Sequence, residues 1–186
     1  ANNLAVRGSL LADREQAPQG GRVVTTPIEH SSVLASCRSL EEEGFEAVFV
    51  SPRSGRIRAE DVIAAVDENT RLVSVMAVNN ETGERLPVEE IARGVKEKNP
   101  SVLVHCDCVQ GYGKIPFTLN CIPADLVTMT AHKIHGPKGC GAIYVREGVK
   151  PGPICFGGSQ ESALRPGTEN VPGIAAFGLA AGNALK

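Results

Sequence analysis

Apolar positions along this chain follow two rhythms. Val33, Leu34, Cys37 and Leu40 fall on one face of a helix that Ser31 or Ser32 caps and Gly44 stops. Residues 88–98 predict a second amphipathic helix, ended by Asn99-Pro100. Asn2 to Asp13 predict a helix with Leu4, Gly8 and Leu11 on one side. A short helix is predicted at 59–66, and Pro172 opens a last one that runs to about Leu185. Continuous β-branched runs predict buried strands, the clearest at 72–78, with others at 22–25, 47–50, 102–106, 125–129 and 141–145. Loops are expected at 17–21 and 51–55. Strands alternating with helices predict an α/β domain around a largely parallel sheet.

In such sheets ligands bind at the carboxyl ends of the strands, and the polar residues of this chain gather there. Asp107 ends the 102–106 run and Lys133 follows the 125–129 run, so the two are expected at one sheet edge. Pyridoxal phosphate needs such a pair. A lysine takes its aldehyde, and a carboxylate keeps the pyridine nitrogen protonated. Lysine plus aspartate alone is a common pair, and the residues around them supply the specificity. His30, in Thr26-Pro27-Ile28-Glu29-His30, reads either as a ring that stacks on a planar cofactor or as a capping histidine. Asn79-Asn80-Glu81-Thr82-Gly83 reads either as amide donors to a phenolate oxygen or as turn chemistry. Gln110 follows Asp107 closely enough to share its site. Thr130 and His132 flank the lysine and can both donate to a phosphate. The loop 135–141 is rich in small residues, yet it is no Walker P-loop, because Ser or Thr does not follow its lysine.

Composition narrows the classes. The chain has 186 residues, 42% of them hydrophobic, enough for one ordinary domain with a core. A net charge of −2 without a basic stripe argues against nucleic acid or an anionic membrane as partner. No apolar run approaches the ~20 residues of a membrane span, and no secretory leader opens the chain. Six cysteines, at 37, 106, 108, 121, 140 and 155, read as reduced thiols of a cytoplasmic protein. Metal binding by His105-Cys106-Asp107-Cys108 is disfavoured, because neighbouring strand residues point to opposite faces.

Five motifs occur in order: Glu29-His30, Asn79-Asn80-Glu81-Thr82-Gly83, Asp107-x-x-Gln110, Ala131-His132-Lys133 and Gly157-Gly158-x-Gln160-Glu161. With Arg165-Pro166-Gly167-Thr168-Glu169-Asn170, the chain resembles the cysteine desulfurases. These are the NifS-like branch of the class V aminotransferases and close kin of the selenocysteine lyases. The resemblance implies a fold type I large domain that binds pyridoxal 5'-phosphate. It implies Lys133 as the Schiff-base lysine, Asp107 as partner of the pyridine nitrogen and His30 stacked over the ring as a second catalytic residue. Asn80 and Gln110 would bond near the phenolic oxygen, and Thr130 and His132 would hold the phosphate. Thr168 would reach the phosphate of the other subunit of a homodimer. The implied reaction turns L-cysteine into L-alanine and a protein persulfide, which a sulfur-acceptor protein draws on for iron–sulfur cluster assembly.

Thr130 stands where the family usually has serine, and Ser159 replaces a third glycine. Residues 1–186 match only the central part of the large domain. The small domain, with its catalytic cysteine and a substrate-binding arginine, is expected outside them. A cofactor-fold remnant serving as a binding or structural module is an alternative. So is another class V enzyme, a selenocysteine lyase or an aminotransferase.

Overall fold

The computed structural model describes residues 1–12, 20–116 and 122–184. Its centre is a six-stranded sheet of order β2-β1-β3-β4-β5-β6. The strands are β1 (Arg22–Thr25), β2 (Glu46–Phe49), β3 (Thr70–Met76), β4 (Leu103–Asp107), β5 (Leu126–Thr130) and β6 (Gly141–Val145). The first five run parallel, as the strand–helix alternation predicts. β6 folds back antiparallel on β5, because too few residues separate the two for a helical crossover.

Helices cover both faces of the sheet. α3 (Ala59–Ala64) and α4 (Val88–Lys98) lie on one side. Val88, Ile91, Ala92 and Val95 of α4 form one buried stripe against Val73, Val75, Val104 and Val127. The opposite side carries α2 (Ser31–Glu41) and the first turns of the chain, with Val33, Cys37 and Leu40 packed against Val23, Leu72 and Leu126. Gly44, at φ +89°, reverses the chain after α2, a conformation that glycine alone adopts without strain. The first turns differ from expectation. A π-helical turn spans Leu4–Gly8 and a short α1 spans Ser9–Ala12. Residues 13–19, and with them most of the expected 17–21 loop, lie outside the described residues.

Under the sheet crossing, buried Asp125 accepts from the Val104 N–H at 2.8 Å and pairs with Lys96 at 2.6 Å. The last helix, α5 (Val171–Ala184), packs on the turn after β5 through Phe177 and leaves Val171, Ile174 and Leu179 half to two-thirds exposed. No helix among the described residues is long and apolar enough to cross a membrane.

Candidate active site

Four neighbouring parallel strands end side by side, in the order β1, β3, β4, β5. The segments leaving them carry His30, Asn80, Asp107 with Gln110, and Thr130 through Lys133. All of these sequence-predicted residues therefore belong to one edge of the sheet. Thr168 sits in an exposed loop before α5.

Asp107 is 4% exposed. Its Oδ1 accepts from the Val109 N–H at 2.9 Å and its Oδ2 from the Asn2 side-chain amide at 2.7 Å. Among the described residues no Lys or Arg pairs with it. The His105 ring feels its field, but burial outweighs it and lowers the pKa of the ring. A buried carboxylate with two neutral donors favours a further cationic N–H.

His105 lies two residues earlier on the same face of β4, fully buried. Its Nδ1 meets the Ser74 hydroxyl at 2.8 Å and its Nε2 the Thr128 hydroxyl at 3.0 Å. Burial lowers its pKa to about 4, so the ring is neutral. Glu29 is its acidic counterpart. β1 stops at Thr25, and the Glu29 carboxyl takes over as acceptor for the Met76 N–H at 2.9 Å. Thr26 donates to the same oxygen at 3.0 Å, while the buried Oε2 has no partner among the described residues. Burial pushes the Glu29 carboxyl up to about 8, and the nearby Asp107 charge adds to the shift. Glu29 is protonated at neutral pH.

His30 is exposed and caps α2. Its Nδ1 accepts from the Ser32 N–H at 3.2 Å and contacts the Ser32 hydroxyl at 2.8 Å. The cap is thus His30, where a serine was expected, and its Nε2 edge remains open. Asn79 performs the turn chemistry, with Oδ1 accepting from the Glu81 and Thr82 N–H groups at 2.9 Å. Asn80, beside it, is exposed. Gln110 accepts from Lys114 at 3.1 Å through Oε1, which leaves its amide N–H groups for a ligand.

Lys133 rides on a 3-10 turn, Ala131–Ile134. The turn is rigid. The Ala131 N–H donates to the Cys140 carbonyl at 3.1 Å, and the Gly136 N–H returns to Ala131 O at 2.9 Å. A Cβ on Gly136 would come within 2.9 Å of the Ala131 Cβ and 3.0 Å of its carbonyl oxygen, so only glycine closes the turn. Lys133 itself is exposed and has no hydrogen bond or ion pair with the described residues. The Thr130 hydroxyl donates to the Cys140 carbonyl at 3.0 Å and lies 2.9 Å from His132 Nδ1. It must turn off that carbonyl to serve a phosphate.

The described cysteines are free thiols, buried at 37, 106, 108 and 140 and exposed at 155. Cys121 lies outside the described residues. Burial pushes the Cys37 thiol up to about 12, and the Cys106 thiol is raised by its hydrogen bond with Cys108 and by burial. Neither is a ready nucleophile.

The residues 1–183 match the family model described as "Aminotransferase class-V", and the chain belongs to that family. It is 44% identical over 181 residues to a cysteine desulfurase of Nostoc sp., covering 97% of this chain and 44% of that protein. Among solved structures it is similar to a NifS-like protein at TM-score 0.93 and 43% identity, covering 99% of this chain and 50% of the other. SspA, solved in complex with cysteine, matches at TM-score 0.90 and 36% identity, over 97% of this chain and 52% of its own. The chain spans about half the length of the relatives it matches.

Proposed function

We propose that this chain is the cofactor-binding part of a pyridoxal-phosphate-dependent cysteine desulfurase. The observation that carries the reading is the single sheet edge that holds a buried Asp107 and, after the neighbouring strand, a rigidly mounted Lys133, neither ion-paired with any of the described residues. When bound, the cofactor supplies an electron sink that lets the substrate's Cα proton leave. In this reading the Lys133 amine holds the cofactor aldehyde, and Asp107 holds a proton on the pyridine nitrogen. His30 covers the ring and offers its open Nε2 edge to the reacting atoms. Gln110 and Asn80 donate near the phenolic oxygen. Thr130 and His132 bind the phosphate, and Thr168 reaches the phosphate of a second subunit. The substrate is L-cysteine. A nucleophilic cysteine of the small domain takes its sulfur as a persulfide and passes it to an acceptor protein. Residues 1–186 are then part of the large domain. The free thiols support a reducing, cytoplasmic setting.

Borohydride reduction with pyridoxal phosphate, followed by peptide mass mapping, tests the site. The expected result is one cofactor on Lys133, and label on Lys114 or Lys138 overturns the assignment. Alanine release from L-cysteine without a keto-acid acceptor separates desulfuration from transamination.

A further inference from the structure

Asn2 joins two parts of the site that are far apart in sequence. Its Nδ2 donates to Asp107 Oδ2 at 2.7 Å and to the Ser32 hydroxyl at 2.8 Å, and its Oδ1 accepts from the Thr128 hydroxyl. Both Asp107 oxygens act as acceptors, one from the Val109 N–H and one from Asn2, so the Asn2 nitrogen faces Asp107.

The protons of Thr128 and His105 follow from that one. The Thr128 hydroxyl spends its hydrogen on Asn2, so toward His105 it is an acceptor and Nε2 carries the ring proton. His105 Nδ1 is left as the acceptor for the Ser74 hydroxyl. On the other arm, Ser32 Oγ accepts from Asn2 and turns its own hydrogen to His30 Nδ1, which also receives the Ser32 N–H. The His30 proton must then sit on Nε2, the edge open to solvent.

We propose that Asn2 is a positioning residue. Through Thr128 its amide fixes the tautomer of His105, and through its nitrogen it ties Asp107 to Ser32 at the cap of α2. This rests on the cofactor reading only for its purpose, which is to present a bound ring with a carboxylate at Asp107. The network itself belongs to the ligand-free protein.

The test uses the ligand-free protein with 15N-labelled histidine at about pH 8, where imidazole is neutral. Long-range proton–nitrogen spectra read each ring's tautomer, with single His→Gln variants for assignment. The wild type is expected to show one Nε2–H tautomer for both rings. Asn2→Leu removes the acceptor for Thr128 without placing a charge beside Asp107. It should turn His105 into a mixture of tautomers and leave His30 unchanged, because the Ser32 N–H still donates to His30 Nδ1. Thr128→Val should likewise change only His105, and Ser32→Ala neither ring. An unchanged His105 in a folded Asn2→Leu protein overturns the proposal, as does a Ser32→Ala variant that moves His105. Pyridoxal phosphate is then added and its attachment to Lys133 measured. Failure to attach in wild type refutes the functional reading and leaves the ring spectra to stand or fall alone.

Discussion

The two ends of the candidate site are built differently. Around Asp107 the side chains are buried or half-buried and bonded to one another, and they come from β3, β4, β5, α2 and the first turn of the chain. Around Lys133 the backbone is fixed, but Lys133 and His132 are exposed. Farther along, Glu161, Ser162 and Ala163 hold three successive positive φ angles, a left-handed turn that costs roughly 1–2 kcal/mol per residue. One end is preorganised by the chain itself. The other presents exposed groups, of which Lys133 has no hydrogen bond or ion pair with the described residues. In the proposed function an acid that is held and aimed benefits from a rigid setting, whereas an amine that exchanges bonding partners needs reach.

The comparison breaks most visibly at Asp107. Asp107→Asn is expected to slow alanine formation from L-cysteine by about a hundredfold or more, since each tenfold is about 1.4 kcal/mol and an amide cannot oppose a pyridinium charge. The mapping at Lys133 should still show cofactor attached. Equal rates for variant and wild type would mean that Asp107 does not face the ring nitrogen.

Next in size is pH. Below 4.5 both states keep the Glu29 proton, whereas between 4.5 and about 8 only the folded state does. Stability therefore falls by about 1.4 kcal/mol per unit as pH rises through that window. His105 acts with the opposite sign. The unfolded ring gains a proton below 6.5 and the folded ring only near 4, so stability falls as pH drops between those values. The two slopes oppose each other from 4.5 to 6.5, and the Glu29 loss stands alone from 6.5 to 8. Urea midpoints of Glu29→Gln should be flat over that upper range. A slope as steep as wild type would show that Glu29 is not held protonated.

Thr128→Val should cost about 1–3 kcal/mol by leaving the buried His105 N–H unpaired, whereas Lys133→Ala should stay within about 0.5 kcal/mol. Matching losses in urea melts would erase the contrast between the two ends. The smallest effect is at the strained turn. Ser162→Gly should gain about 1 kcal/mol, because glycine adopts positive φ without a Cβ penalty.

Much of this was legible beforehand, for a physical reason. β1 and α4 stand where the apolar rhythm puts them, and the strand ends carry the motif residues. Local pattern sets such elements. The Asn2 hub was not legible, because a polar residue in a predicted first helix gives no sign that it reaches a strand more than a hundred positions away. Glu29 was noticed only as the neighbour of His30, since nothing local tells a buried acid from a solvated one. His105 did leave a trace, a histidine two before an acid on an apolar strand, which places both on one face. The antiparallel β6 was foreshadowed by its short connection.

The reach of Asn2 also bears on how the molecule comes into being. Its partners stand 105 and 126 positions further along, at Asp107 and Thr128. Closing loops of that length costs little more than closing shorter ones, about 0.6 kcal/mol per doubling, so the consequence is one of timing. During synthesis the first turn emerges early and waits for β4 and β5, while α2, β2 and β1 can already associate. The acid's grip closes only after β4 and β5 have emerged, and a nascent chain that has not yet exposed Thr128 lacks the assembled network around Asp107.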